Sequence, residues 1–284
     1  MLRGALGTSF RRIACVPSCT DAHSCQADCP YARIFEPASH GAGPSGLANR
    51  PRPFVFRAAH LDGRTINPGA SFCFDVNLFD VRDAVSLTYF IRAFAQLAQE
   101  GLGPRRARVE LTEVWQLNDC REPAARLYDG ASIAVSSKAP LVIDLAPARF
   151  PSITRLRIRF VTPTELKSAE QLATHPEFAI LASRIRDRLS TLSELYGSGP
   201  LPIDFQAFGE RAALIRMTEC NVRQVSLERR SSRTGQTHSI GGFTGEAEYE
   251  GDLAEFIPYL EAAHWTGVGR QTSWGKGEIA VEAL

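Results

Sequence analysis

The order of strands and helices in the second half of the chain is the feature that most restricts its fold. Alternating polarity predicts strands, and apolar residues at every third or fourth position predict helices. These patterns place strands at 153–163, 221–230, 243–251 and 277–284, and helices at 177–196, 205–215 and 252–265, the last with Asp252 as its cap. This succession corresponds to β, α, β, β, α, β, the split βαβ or ferredoxin-like unit. We therefore predict a ferredoxin-like domain over residues 151–284.

The first half of the chain is predicted to form a related domain over residues 1–150. The patterns indicate a helix at 2–14, a strand at 71–79, a helix at 83–100, a strand at 107–117 and a candidate hairpin of 131–137 with 140–146. Strands and helices mixed in this way indicate the fold class α+β. The first domain reads as a degraded copy of the second.

Length and charge limit the classes of function. The chain has 284 residues, of which 44% are hydrophobic, and this is enough for two medium domains. Because the formal net charge is only +1, a nucleic-acid partner needs a local basic surface. No segment approaches the roughly 18 consecutive apolar residues of a membrane span, and the N-terminus lacks the pattern of a secretory signal. We therefore predict a cytoplasmic protein with no membrane partner.

Four of the seven cysteines lie close together, at Cys15, Cys19, Cys25 and Cys29, within a segment rich in Pro, Gly, Ser and Ala. In a reducing cytoplasm such a cluster indicates metal binding before disulfides. Four thiolates can close a tetrahedral structural zinc site, although the spacing is not the C-x2-C pair of a strong zinc motif. Small buried thiols and iron–sulfur ligation are the alternatives.

The segment GVGRQTSWGKGEI, residues 267–279, combines four glycines with Arg270 and Lys276. Nucleotide-binding loops place their glycines after a strand and before a helix, because the helix N-terminus supplies the amides that bind phosphate. Here the glycines follow a helix and precede a strand, which argues against a nucleotide cofactor. Two interpretations remain: a bulged connection in which glycine supplies positive φ, and a loop that binds an RNA backbone with an unstacked base.

Residues 239–279, SIGGFTGEAEYEGDLAEFIPYLEAAHWTGVGRQTSWGKGEI, closely resemble the C-terminal region of the CRISPR-associated (Cas) endoribonucleases that process precursor crRNA, family six of the RAMP superfamily. In that family a GGF/L-x-G-x-x-x-Y-x-G-D-L strand and helix precede a characteristic glycine-rich loop, here residues 267–277. The resemblance continues upstream through RRSSR (229–233), FVTPTELK (160–167), AAHLDGR (58–64) and CPYARIFEP (29–37). It covers almost the whole chain, and its C-terminal segment is the specific part.

The resemblance implies two ferredoxin-like, RRM-like domains in tandem that bind a repeat hairpin of precursor crRNA. It also implies cleavage without a metal cofactor, in which the ribose 2′-oxygen attacks the adjacent phosphorus and leaves a cyclic phosphate. Such a reaction needs a base for the hydroxyl proton, an acid for the leaving oxygen and cations for the charged transition state. The implied partners are the RNA hairpin and other subunits of a CRISPR effector complex.

Histidine is the natural acid or base near neutral pH, and the chain has six. The family often places its catalytic histidine just after the first helix, where this chain offers His23 and His40. His238 is the third candidate, because it lies in RRSSRTGQTHSIGG beside several arginines. Each has the alternative of a solvated loop side chain, and for His264, at a helix end, capping is expected.

The predicted RNA-binding residues belong to this arginine-rich hairpin and to the glycine-rich loop: Arg229, Arg230, Arg233, Gly241, Gly242, Gly267, Gly269, Arg270, Gly275, Lys276 and Gly277. A solvated charged turn is the alternative for the arginines.

The chain departs from the family pattern at two places. Gly267 stands where many relatives carry a histidine directly before the VG of the loop, so any role of that side chain is absent. Relatives also have a strand ahead of LRGALG, so the N-terminal domain is expected to lack its first strand and to leave a sheet edge unpaired. Two other classes of function stay open: a non-catalytic crRNA-binding subunit of an effector complex, and a metal-dependent scaffold.

Overall fold

The structure of the protein is a computed structural model, and it describes residues 2–15, 29–37, 50–81, 84–103, 105–134, 139–146, 153–168, 171–226, 228–230 and 237–284. The chain forms two compact units, the first from Met1–Pro53 and Phe79–Ile143, the second from Phe54–Leu78 and Asp144–Leu284. The division into domains at residue 150 stays a prediction.

In chain order the described helices and strands are α1 (Leu2–Ala14), α2 (Pro30–Phe35), β1 (Phe54–Arg57), β2 (Asp75–Leu78), α3 (Ala84–Glu100), β3 (Val114–Leu117), β4 (Pro123–Tyr128), β5 (Arg155–Thr164), β6 (Lys167–Ser168), β7 (Gln171–Leu172), α4 (Phe178–Tyr196), α5 (Phe205–Ala212), β8 (Arg216–Val225), β9 (Glu228–Arg230), β10 (Thr237–Ser239), β11 (Gly242–Glu250), α6 (Ile257–Thr266) and β12 (Ile279–Ala283). Among these helices, none is long and apolar enough to cross a membrane.

A four-stranded antiparallel sheet forms the centre of the second unit, with the spatial order β12-β5-β11-β8. The first and third of these strands along the chain lie in the middle, and the second and fourth lie at the edges. Helices α4 and α5 follow the first strand, and α6 precedes the last. This is the split βαβ arrangement, so the predicted α+β fold with a C-terminal ferredoxin-like domain is confirmed.

One face of this sheet carries the core because β5 alternates strictly. Leu156, Ile158 and Phe160 are buried, while Arg155 and Arg159 are exposed. The helices bury their apolar stripes against the same face through residues that are three or four positions apart. The largest fully buried side chains of this core are Tyr249, Phe160, Phe178, Phe208, Phe243, Phe256 and Leu156.

The other face of the sheet is charged. Register places Arg157 opposite Glu248 and Arg159 opposite Glu246. Glu248 accepts hydrogen bonds from Arg157 Nη2 at 2.6 Å and from Arg155 Nη2 at 3.2 Å. RRM domains stack bases on aromatic residues of this face. In β5 and β11 these positions hold paired arginines and glutamates instead.

Stability at acid pH should depend on Glu248. Its pKa lies below the ordinary glutamate value, chiefly because it accepts hydrogen bonds from Arg157, with attraction to Arg155 added. The resulting stabilisation is complete above the ordinary pKa and is lost as the pH falls through the lower, folded value. We therefore expect Glu248→Gln to flatten the fall of the denaturant midpoint with decreasing pH. Glu250→Gln, at an exposed pair with Arg216, is the matched control, and parallel curves for both variants would refute this assignment.

Helix packing and one hairpin make up the first unit. Ser9 Oγ of α1 donates to Ala93 O of α3 at 3.0 Å in a buried contact. Phe10 packs against Phe35 of α2 and Phe90 of α3, with ring centroids 5.1 and 5.4 Å apart. Strands β3 and β4 pair with each other.

Several predicted elements differ in the structure. The predicted strand at 71–79 is reduced to β2, which pairs with β1, a strand that the sequence analysis missed. Residues 131–134 and 139–146 form none of the predicted hairpin strands apart from one bridge, Tyr128 to Ile133. The Asp129 side chain accepts from the amides of Ala131 and Ser132, so the chain turns there.

The predicted cap Asp252 is also wrong. A 3₁₀ turn over Ala254–Phe256 leads directly into α6, and Pro258 lies in the first turn of the helix. Proline suits this position because it needs no amide partner there.

Candidate nucleic-acid interface

The glycine-rich loop, residues 267–277, connects α6 to β12, so the predicted polarity of helix, loop and strand is confirmed. Gly267 takes a φ of 71° and closes α6 by donating its amide to Ala263 O at 2.8 Å. Gly269, Gly275 and Gly277 also have positive φ. The loop is therefore a bulged connection, and its binding capacity depends on which groups it holds and exposes.

Two glycines allow the loop backbone to lie directly against its neighbours. A Cβ on Gly269 would lie 2.3 Å from Glu165 O, and a Cβ on Gly277 would lie 1.9 Å from Val268 O. Both distances are far inside van der Waals contact, and the groups approached are backbone. The Gly277 amide donates to Pro163 O at 3.2 Å, which fastens the loop to the end of β5.

Three side chains fasten the end of α6, where the loop begins. Arg57 Nη2 donates to the carbonyl of residue 264 at 2.9 Å, Asn77 Nδ2 to that of residue 265 at 2.8 Å, and Arg188 Nε to that of residue 266 at 2.9 Å. These are carbonyls that a helix end leaves without partners inside the helix. Burial, followed by repulsion from Arg57, lowers the pKa of Arg188 to about 9. Sequence analysis missed all three residues, because nothing local in the sequence marks a contact over such separations.

Glu165 holds the two cations of the loop. Its Oε1 accepts from Arg270 Nη1 at 2.5 Å, and its Oε2 lies 3.4 Å from Lys276 Nζ. Lys276 Nζ also donates to Gln271 Oε1 at 3.0 Å. The Arg270 amide donates to the backbone oxygen of Glu165 at 3.1 Å, so this residue holds the loop through its backbone and its side chain.

The two predicted phosphate ligands of the loop therefore differ. The Arg270 side chain is 52% exposed, whereas that of Lys276 is 5% exposed. Burial lowers the pKa of Lys276, and attraction to Glu165 opposes this effect. Arg270 therefore keeps about half of its side chain open to solvent beside its ion pair with Glu165, while Lys276 stabilises the loop from inside.

The arginine-rich hairpin lies beside this loop. Arg229 and Arg230 belong to β9 and His238 belongs to β10, with His238 opposite Arg229 in the ladder. Gln271 Nε2 of the loop donates to Ser239 O, the last residue of β10, at 3.2 Å. The structure thus brings the loop and the strands of the hairpin together, and the RNA-binding role of both elements stays a prediction.

A cavity of about 270 Å³, open on one side, lies where the hairpin meets the sheet. We call it the turn cavity. It is lined by the ends of β5, β7 and β8 and by the turn from β10 into β11, which contains Gly241 and Gly242. A Cβ on Gly242 would lie 2.5 Å from Thr164 O, so glycine is required for the turn to lie against β5.

Other predicted site residues lie outside the described part of the chain, namely His23, His40, Arg233, Cys19 and Cys25. Their roles stay predictions. The remaining histidines contact nearby groups: His60 Nε2 lies 2.8 Å from Cys73 O, His175 Nδ1 3.0 Å from Thr174 Oγ1, and His264 Nδ1 3.2 Å from Ile279 O. His264 was expected to cap the C-terminal end of α6, and in the structure Arg57, Asn77 and Arg188 donate hydrogen bonds to the carbonyls there.

The cysteine cluster is described at its two ends. Cys15 follows α1 and Cys29 precedes α2. The described part of the chain contains no group of three or more metal-ligating side chains. The four-cysteine zinc site stays a prediction.

Family comparisons match both halves of the chain. A family model described as an N-terminal domain matches residues 1–140. A family model described as CRISPR-associated endoribonuclease Cas6 matches residues 158–279, the range that includes the four-stranded sheet and the glycine-rich loop. No match to a curated protein was found.

Solved structures also show similarity. Thermus thermophilus Cas6 (TTHB231) is 23% identical, with a TM-score of 0.36, over 46% of this chain and 55% of that chain. The Cas6 (TTHB231) product complex is 16% identical, with a TM-score of 0.49, over 99% of this chain and 91% of that chain. A partial Cas6-RT-Cas1–Cas2 complex is 14% identical, with a TM-score of 0.36, over 56% of this chain and 29% of that chain.

Proposed function

Because this chain belongs to the Cas6 family of CRISPR-associated endoribonucleases through residues 158–279, we propose that it binds the repeat hairpin of precursor crRNA and cuts it to mature crRNA. The cut needs no metal: the 2′-hydroxyl attacks the adjacent phosphorus and leaves a 2′,3′-cyclic phosphate. The RNA hairpin is the main partner, and subunits of a CRISPR effector complex are proposed as further partners.

One observation carries this proposal: the glycine-rich loop presents an exposed Arg270 next to the strands that bear Arg229 and Arg230. Cations on neighbouring elements suit successive phosphates of an RNA backbone. They also suit the charge that develops on phosphorus oxygens in the transition state. His23, His40 and His238 are the proposed sources of the general acid and base.

The reaction is tested with purified protein and its cognate repeat RNA in EDTA. We expect one cut, a cyclic phosphate on the 5′ fragment, and no cut when the scission nucleotide carries a 2′-deoxy ribose. Cleavage of the 2′-deoxy RNA would contradict the mechanism. Tight binding without turnover in any buffer would instead support the non-catalytic crRNA-binding subunit.

Arg270 should contribute to binding in a salt-dependent way. Removing one phosphate contact lowers the slope of log K against log salt by about 1. We therefore expect Arg270→Ala to weaken RNA binding and to lower this slope, measured by fluorescence anisotropy between low and physiological salt. Arg216→Ala, at a 72% exposed arginine that begins β8, is the matched control. Equal slopes for wild type and Arg270→Ala would leave the loop as a structural connection.

A further inference from the structure

The turn cavity lies beside the end of the arginine-rich hairpin and is linked to the glycine-rich loop through Glu165. Glu165 is one of the residues that line the cavity, and its carboxylate holds Arg270 of the loop. We propose that this cavity binds one unpaired nucleobase of the RNA, whose phosphate lies on Arg270. The inference rests on the proposed function, because it names the part of the RNA that this site holds.

The size of the cavity suits a single ring system. Sites that enclose a whole drug-sized ligand have volumes of roughly 300–1,000 Å³, and the turn cavity has about 270 Å³. One planar base fits this space, while its ribose and phosphate remain at the open side. RNA that is read by sequence is usually read in this way, through unpaired bases turned out of the stack.

Apolar groups line part of the cavity. Phe243 is 1% exposed and lies in the wall on the core side. Leu172 of β7 lines the cavity and is 54% exposed. A base inserted here would cover Leu172 and remove apolar surface from water. Its flat face matches these side chains better than a phosphate or a sugar would.

Polar groups supply contacts for the edge of a base. Ser226 and Ser239, which carry hydroxyl groups, are among the lining residues, and Gly241 brings backbone between the β9–β10 and β8–β11 ladders. Backbone and hydroxyl groups provide donors and acceptors for the Watson–Crick or Hoogsteen edge. A site that bonds such an edge discriminates among bases.

The local charge favours a nucleotide over a neutral molecule. The single carboxylate of Glu165 faces the two cations Arg270 and Lys276, which leaves one net positive charge beside the cavity. A phosphate attached to the inserted base balances this charge.

The test combines RNA and protein changes. Repeat RNAs with a 2′-deoxy scission nucleotide and one abasic site at each unpaired position are titrated by fluorescence anisotropy. For the wild-type protein, an abasic site at one of these positions is expected to lower the binding affinity about tenfold, because one base contact is lost. Ala173→Phe, which fills the cavity, should lower the affinity for the intact RNA by a similar factor. It should bind the RNA with that abasic site as tightly as the wild-type protein does, because the base contact is already absent.

Two further variants keep the test decisive if Ala173→Phe does not fold. Leu172→Ser should weaken binding of the intact RNA several-fold. It should cause no further loss of affinity when the RNA already has the abasic site at the position that matters for the wild type. Leu214→Ser, at an 80% exposed leucine outside the cavity, should bind as wild type. The base site would be overturned if each abasic site lowered the affinity by the same factor in the wild type and in the cavity variants.

The outcomes separate this inference from the proposed function. Wild-type protein that neither binds nor cuts repeat RNA would overturn both. If wild-type protein binds and cuts the RNA, but the effect of every abasic site simply adds to the effect of the cavity variants, the base site alone is overturned. Free nucleoside 5′-monophosphates are not expected to bind without the rest of the RNA, and tight binding of one would assign the cavity to a free nucleotide instead.

Discussion

Replacing Gly277 by alanine is expected to lower the free energy of unfolding by about 3 kcal/mol or more. Its φ is 70°, and a Cβ would lie 1.9 Å from Val268 O, a backbone atom that cannot turn aside. Val268 is fully buried and donates its amide to Gly277 O at 2.9 Å, so relief of the clash must separate this pair. The free energy is measured by denaturant unfolding, with helix and sheet followed by circular dichroism.

Gly63→Ala is the matched control for this substitution. Gly63 has almost the same φ, 71°, yet nothing lies within 4 Å of a Cβ built there. It should cost only the strain of the left-handed conformation, about 1 kcal/mol. The difference between the two variants measures the close approach of Gly277 to Val268, and equal losses would mean that the loop backbone relaxes around the added Cβ.

Sequence alone predicts the ferredoxin-like sheet because its signal is local. The buried residues of β5 alternate along the chain. Gly267, which ends α6 and opens the loop, directly follows the helix in sequence. Each element therefore carries the pattern of its own face. Strand β1 was missed because FVFR is buried throughout and shows no alternation.

The hairpin predicted at 131–137 and 140–146 fails for a different reason. PLVIDLA has the composition of a strand, but Leu141, Val142 and Ile143 are exposed in the structure. Composition gives the β propensity of a segment, but a strand forms only where a neighbouring strand is available to pair with it. In the described residues, the 131–134 segment pairs with the end of β4 through a single bridge, Tyr128 to Ile133.

Long-range ion pairs limit how much of the site could be predicted. Arg270 and Lys276 are both cations of one glycine-rich loop, and spacing cannot tell which of them faces solvent. Both pair with Glu165, which lies about a hundred residues earlier in the chain, so neither this pairing nor the burial of Lys276 can be predicted from the loop sequence. The fastening of α6 by Arg57 and Arg188 depends equally on residues far apart in sequence.

Glu165→Gln is expected to destabilise the second unit by about 3 kcal/mol, because it leaves the Lys276 ammonium buried without a counter-charge. The backbone oxygen of Glu165 would still accept from the Arg270 amide, so the loss reports the carboxylate. Lys276→Met should cost less, since Glu165 keeps Arg270 as its partner and the methionine fills a similar volume. Both values come from denaturant unfolding at neutral pH and constant salt.

The double variant and the pH dependence decide between pairing and general disruption. Glu165→Gln combined with Lys276→Met should be more stable than Glu165→Gln alone, because the uncompensated charge is gone. In Glu165→Gln the pKa of Lys276 should fall further, since attraction to Glu165 is what opposes the effect of burial. The unfolded chain then binds more protons than the folded protein between the lowered and the ordinary lysine pKa, so stability should rise with pH across this window. Additive losses in the double variant, together with a flat pH profile for Glu165→Gln, would show that Glu165 acts on the loop without charge pairing to Lys276.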